Sequence, residues 1–181
     1  MGKSFAVPDG ISGRDIKNTR QKLSMTQREF AELLGVSVKS VERWEPGEKS
    51  VTGPIVLLLR LLDDNPELVE KVRIPEKKWK LRLLYMYKDN VCTLIDVDDN
   101  KRRVRIKNYT GLLQYRAFGV IETPSYDDYL KFLESRCFPR SRDKMKIILK
   151  ELDIPFYDPM LIIEKTEGRM AEDDFWIKIE R

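Results

Sequence analysis

Histidine is absent from the 181 residues. That absence removes Ser-His and Cys-His nucleophile pairs, histidine general bases and every histidine-containing metal site. The two cysteines, Cys92 and Cys137, form no C-x-x-C pair, so neither a zinc finger nor a dithiol redox motif can be assembled, and a reduced intracellular protein is the simplest reading. Three other clusters retain chemical potential. The acidic triplet Glu172-Asp173-Asp174 could hold Mg²⁺, but a metal site needs ligands converging from several elements, and such a run more often lines a solvated turn. Arg136, Arg140 and Arg142 make either an anion pocket at a helix start or a plain surface cluster. Tyr85, Tyr87, Tyr109 and Tyr115, interspersed with basic residues, either stack single-stranded bases or pack a small sheet, the commoner use. No catalytic residue, cofactor site or metal site is expected. A metal-dependent nuclease is disfavoured, because the carboxylates show no spaced motif.

Composition bounds the classes that remain. Hydrophobic residues make up 41% of the chain and charged residues 35%, enough for packed cores and against wholesale disorder. No stretch reads as a signal peptide or approaches a membrane span, which leads to the expectation of a cytoplasmic protein with no membrane partner. The net charge of +4 is unevenly spread: residues 1–75, 76–120 and 121–181 carry net charges of +1, +6 and −3. The middle excess lies in Lys77, Lys78, Lys80, Arg82 and the run from Lys101 to Lys107. It fits either a nucleic-acid surface or the solvated face of a hairpin.

The elements that would position a binding surface are clearest near the amino terminus. From Ile11 the pattern is helical, with Ile16, Thr19, Arg20 and Leu23 on one face. Thr26 with Glu29 three residues later is a capping box, announcing a second helix with Phe30, Leu33 and Leu34 on its apolar side. Gly35 ends that helix as a left-handed cap, and Ser37 opens a third through Val41 and Trp44 to Pro46-Gly47. Two short helices joined by a tight glycine turn make a bihelical DNA-reading unit. Thr52-Gly53-Pro54 opens a fourth helix bearing Leu57, Leu58, Leu61 and Leu62, and Asn65-Pro66 opens a fifth through Val72.

The run T-Q-R-E-F-A-E-L-L-G-V-S-V-K-S-V-E-R-W-E-P-G at 26–47 resembles the Cro/C1-type helix-turn-helix family. The resemblance implies that Gln27, opening the second helix, contacts a DNA phosphate. It also implies that the exposed face of the third helix reads bases, with Val38, Lys39, Glu42 and Arg43 on that face and Ser37 and Ser40 near its start. Elementary chemistry agrees: Lys or Arg donates to guanine O6/N7 and an apolar side chain meets a thymine methyl in the major groove, while Ser37 and Gln27 suit register-setting phosphate contacts. Gln27, Ser37, Val38, Lys39, Ser40 and Arg43 are therefore the expected DNA-binding residues. Glu42 repels phosphate and can only accept from cytosine N4 or orient a neighbouring Arg. Ala31, Leu34, Val36, Val41 and Trp44 match the family's buried positions, and Arg20 and Glu45 match its internal ion pair. The continuation W-E-P-G-E-K-S-V-T-G-P, then L-L-R-L-L-D-D-N-P-E-L, is similar to the HigA- and NadS-like antitoxins and the helical half of MqsA-type antitoxins, departing at Val51, where they usually carry proline.

After a polar linker at Pro75-Glu-Lys-Lys, Lys80–Lys88 and Val91–Asp98 read as strands flanking an Asp89-Asn90 turn, followed by a strand over 102–109 with one basic face. Ser125 caps a helix carrying Tyr126, Tyr129, Leu130 and Leu133. Ser141 or Arg142 opens another with Met145, Ile148, Leu149 and Leu152; Asp158-Pro159 starts a last helix; Phe175–Ile179 is a terminal strand. The stretches R-C-F-P-R-S-R-D at 136–143 and G-R-M-A-E-D-D-F-W-I at 168–177 resemble part of the amino-terminal lobe of HipA-like toxin kinases. With no phosphate-gripping loop or catalytic-loop pattern, that resemblance implies a regulatory or docking lobe, not a kinase.

The expected fold class is α+β: an all-α helix-turn-helix domain of about five helices over 1–74, then a small α+β domain with an antiparallel sheet over 75–181. The expected function is a sequence-specific repressor that binds a two-fold operator on double-stranded DNA as a homodimer. In its narrower form it is the antitoxin of a toxin–antitoxin operon, repressing its own promoter and holding a toxin protein. The alternative is a regulatory adaptor of phage or mobile-element type whose second domain binds a protein partner or effector.

Overall fold

Three hydroxyl side chains set the start of the first three helices. Ser12 Oγ accepts from the Asp15 amide, Thr26 Oγ1 from that of Glu29 and Ser37 Oγ from that of Ser40, so each entry satisfies an amide that has no partner inside its helix. The computed structural model describes residues 4–181 and divides them into two compact units, 4–73 and 74–181.

The first unit contains α1 (Gly13–Lys22), α2 (Gln27–Leu34), α3 (Val38–Trp44), α4 (Pro54–Asp64) and α5 (Glu67–Val72). Ile16, Phe30, Val41 and Leu59 are fully buried at its centre, with Met25, Ala31, Leu62 and Val69 around them. Of the family-matched core positions, Ala31 and Val41 are buried, while Leu34, Val36 and Trp44 are half-buried and pack against the same cluster. Ile11 is not helical: it exchanges two 2.9 Å backbone hydrogen bonds with Val51, tying the segment before α1 to the loop before α4. The inward face of α4 also differs from the expected leucine set. Val56, Leu59 and Leu62 are buried, whereas Leu57, Leu58 and Leu61 are exposed, because a helix that is apolar nearly all round can turn only one stripe at helical spacing toward its core.

The second unit is built on an antiparallel sheet of β1 (Leu81–Tyr87), β2 (Asn90–Asp98), β3 (Arg103–Asn108) and β4 (Phe175–Glu180), in the order β3-β2-β1-β4. The turn joining β1 and β2 is Lys88-Asp89, one residue earlier than the Asp89-Asn90 reading. Tyr87 pairs with Asn90, and Lys88 takes the positive φ of 52° that so tight a connection needs. A bulge follows at once: Tyr85 faces Thr93 but Met86 faces Val91, leaving Cys92 as the extra residue.

Helices α6 (Tyr126–Ser135), α7 (Met145–Glu151) and α8 (Pro159–Thr166) contribute to the larger core. Leu83, Ile95, Val97 and Ile177 of the sheet meet Tyr129, Phe132, Leu133, Leu149, Ile162 and Ile163 there. Phe132, not Leu130, completes the inner face of α6. Neither Ser141 nor Arg142 opens α7; Lys144, with a left-handed backbone and no side-chain cap, precedes it. The tyrosines serve packing. Tyr85 stacks on Phe175 at 4.9 Å and meets Phe132 edge-on at 5.1 Å, Tyr87 lies 4.7 Å from Tyr115, and Tyr109 packs with Leu84, Met86 and Leu94 in a smaller cluster. Burial pushes the Tyr85 hydroxyl up to about 12, the behaviour of a ring committed to the interior.

Candidate nucleic-acid interface

The packing of α2 and α1 around α3 depends on two glycines. Gly35 ends α2 at φ 66°, with its amide bonded to Glu32 and the Val36 amide returning to Ala31 at 2.9 Å, a left-handed conformation that costs glycine no steric strain. Gly13 is needed for a different reason. A Cβ there would stand 2.2 Å from the Trp44 carbonyl oxygen and 2.7 Å from that of Glu45, so the start of α1 meets the end of α3 backbone to backbone.

The outer face of α3 presents Lys39, Glu42 and Arg43, all exposed and, among the described residues, in no ion pair. Their i, i+3, i+4 spacing makes them neighbours on one helical face. The opposite face carries buried Val41 and half-buried Trp44. Val38 sits between these faces, half-buried and packed against the helical core, so only part of its side chain is available. Ser37 and Ser40 are joined Oγ to Oγ at 2.8 Å, and Ser37 also holds the Ser40 amide. Both hydroxyls thus have internal partners, and Ser37 is the exposed one.

Gln27 stands at the first turn of α2 and is half-buried, its Nε2 donating to Glu45 Oε2 at 2.9 Å. Glu45 is also gripped by Arg20, whose Nε donates to Oε1 at 2.6 Å and Nη2 to Oε2 at 3.0 Å, while Nη1 reaches the Met25 carbonyl at 2.8 Å. The Arg20 hydrogen bonds outweigh burial and, with the Gln27 amide, hold the Glu45 carboxyl below the ordinary carboxylate range. The charged pair therefore locks the end of α3 to α1 and to the segment opening α2. An open depression bounded by Lys17, Gln27, Glu42, Glu45 and Pro46 lies beside this lock. Lys17 is exposed on α1 and was missed by motif reading, since nothing in its local sequence separates it from any other surface lysine. The structure thus brings Lys39 and Arg43 together on one face and places Gln27 with Lys17 at another edge; Val38 and Ser40 turn partly inward.

The candidate sites of the second unit are internally occupied. Arg136 is buried; Nη1 and Nη2 hold Asp173 at 2.7 and 2.9 Å, Nε donates to the Gly168 carbonyl and Nη2 to that of Phe175. Arg140 pairs with Glu134 at 2.9 Å and Arg142 lies over the Phe138 ring, so the three arginines do not converge on an anion site. The acidic triplet is divided between Arg136 for Asp173 and Lys88 for Asp174, and no acidic, Cys or His group gathers for a metal among the described residues. No helix among them is long and apolar enough to cross a membrane.

With a capped α2, a left-handed glycine turn and an α3 that shows its cationic face, the first unit has the form of a helix-turn-helix, similar to the Cro/C1 type. Residues 7–73 match the family model described as the antitoxin component of a bacterial toxin–antitoxin system, MqsA. The chain is 40% identical over 58 residues to antitoxin MqsA of Escherichia coli, covering 32% of this chain and 44% of that protein. It is 34% identical over 62 residues to antitoxin HigA-2 of Vibrio cholerae, 34% of this chain and 60% of that one. A longer likeness, 26% over 145 residues, links 67% of this chain to 91% of antitoxin PezA of Streptococcus pneumoniae and so extends beyond the first unit. The chain spans less than two thirds of the length of the MqsA and HigA-2 relatives.

Proposed function

We infer that this protein is a sequence-specific transcriptional repressor, the antitoxin of a toxin–antitoxin operon that acts in the cytoplasm on its own promoter. The observation that carries this reading is the exposed Lys39, Glu42 and Arg43 face of α3, held by a capped helix pair within a segment that matches antitoxins. Lys39 and Arg43 read base edges in the major groove, while Gln27, Ser37 and Lys17 meet the sugar–phosphate backbone. One helix-turn-helix reads too short a site for useful specificity, so the protein acts as a homodimer on half-sites about 34 Å apart. The exposed Leu57, Leu58 and Leu61 of α4 support pairing of two copies, since three adjacent leucines in water favour burial. The second unit holds the toxin. A regulatory adaptor, in which that unit binds another protein or an effector, is the second reading. It is favoured by the end of the family match at residue 73, which leaves the second unit outside it.

A footprint of the purified protein on the DNA flanking its own gene, repeated with the neighbouring gene product, tests both. Two-fold symmetric protection that changes when the neighbour is added is the expected result. Protection that ignores the neighbour favours the adaptor, and equal affinity for flanking and shuffled DNA overturns the repressor.

A further inference from the structure

The cationic excess of the middle segment is concentrated on one surface of the second unit. β3 is an edge strand, and Arg103, Arg105 and Lys107 alternate with the half-buried Val104 and Ile106 that pack on the main core, so the three cations share the opposite face. Charges on an edge strand, lysine especially, also deter strand-to-strand association, but that role does not account for cations outside the strand. The linker adds to the same side. Trp79 is approached by Lys78 Nζ and by the Arg103 guanidinium, each 5.2 Å from its ring. Lys77, Lys78, Lys80 and Trp79 line an open cleft of about 920 Å³ with Asp98 and Asp99.

The linker is fixed to the sheet at this point. Arg82 is buried and donates from Nη1 to the Pro75 carbonyl at 2.8 Å, from Nη2 to that of Glu76 at 3.0 Å, and from Nε and Nη2 to Asp96 at 2.7 and 2.9 Å. Asp96 in turn accepts from the Lys78 amide. The lysines therefore project from a rigid base, so less conformational entropy is lost when they are immobilised on a ligand. The acidic groups nearby are already engaged: Asp98 pairs with Arg103 at 2.8 Å and Asp99 accepts from the Tyr126 hydroxyl at 2.9 Å. Lys77, Lys78, Lys80 and Arg105 have no carboxylate partner among the described residues.

The geometry points to a second DNA contact: the linker lysines and the outer face of β3 bind the phosphate backbone of duplex DNA. This rests on the repressor reading. A polyanion is the partner that Lys77, Lys78, Lys80 and Arg105, fixed beside one another without carboxylates, fit. Duplex is favoured over single strands because the aromatic groups that would stack bases are engaged, Tyr85, Tyr87 and Tyr115 in the core, Tyr109 against the smaller apolar cluster and Trp79 with Lys78 and Arg103 near its ring.

The test is the salt dependence of binding to a duplex from the protein's own upstream region and to a shuffled duplex, between about 50 and 200 mM salt. The variant Lys78→Ala/Lys80→Ala/Arg105→Ala is expected to weaken binding to both duplexes alike. Its slope of log affinity against log salt should become shallower by about two to three, near 0.9 for each phosphate no longer neutralised. Lys131→Ala/Lys146→Ala/Lys150→Ala removes equal charge from exposed positions elsewhere and should leave the slope unchanged. A wild-type slope in the first variant, or equal losses in both, overturns the second contact while sequence preference still supports the repressor. Failure of the wild-type chain to bind either duplex overturns both.

Discussion

The two units use charged residues in opposite ways. In the first, α3 leaves Lys39, Glu42 and Arg43 exposed and, among the described residues, in no ion pair, and a well-shielded pair, Arg20 with Glu45, braces the helices that present them. In the second, the two most deeply placed arginines are internal fasteners: Arg82 joins β1 to β2 and the linker, and Arg136 joins the end of α6 to the approach to β4. Availability, more than residue type, separates a binding surface from a structural bond. The R-x-x-x-R-x-R cluster beginning at Arg136 looks more like an anion site than the region around Lys39 does, yet its first arginine has no free side to offer a ligand.

Three perturbations probe that contrast. The largest effect belongs to the second unit. Asp96→Ala strands the buried Arg82 charge and should cost about 3–5 kcal/mol, seen in denaturant titration as early loss of the second unit's cooperative transition while the helical unit keeps its own. An unchanged midpoint would mean that the pair is not a fastener. Next is Lys39→Ala/Arg43→Ala, which should reduce discrimination between promoter and shuffled duplexes by about 1–3 kcal/mol for each base pair no longer read. Its thermal midpoint should stay at the wild-type value, because both side chains are exposed. A large drop in stability would place them among the structural residues instead.

The smallest effect is a pH dependence. The Arg136 hydrogen bonds, against the opposing effect of burial and helped by the Phe175 amide, hold the Asp173 carboxyl below its ordinary range. A depressed carboxylate stabilises the fold above its unfolded pKa, and that contribution is lost as pH falls through the lower folded value. Asp173→Asn should therefore cost about 1–2 kcal/mol at neutral pH, with the gap to wild type closing below about pH 4. A gap that persists in strong acid would show that shape, not charge, sets the cost.

Much of the helical unit is legible along the chain. Thr26 and Ser37 announce helix entries through bonds that span three residues, and Gly35 and Pro54 mark an end and a start, whereas the Ser12 cap of α1 goes unread in a helical pattern taken to begin at Ile11. The same rules fail where the chain offers no such device: α7 has an uncapped start at Lys144, and five apolar residues in a row from Ile55 to Leu59 carry no signal of which will face inward. Of the candidate interface, Lys39, Glu42 and Arg43 follow from helical spacing once Val41 is taken as core. Gln27 does not reveal its partner, which lies 18 residues away.

The amino-acid sequence by itself therefore determined the element types, the helix-turn-helix and the exclusion of histidine chemistry, all of which depend on composition or on neighbours within one helical turn. Only the tertiary structure decided that Gly13 must lack a side chain, that Arg136 belongs to Asp173 across 37 residues, and that Arg82 fastens the linker through Asp96. Those outcomes depend on which groups meet after long loops have closed. Many pairings satisfy the same local rules, and the choice among them is made by burial, where an unpaired charge costs most.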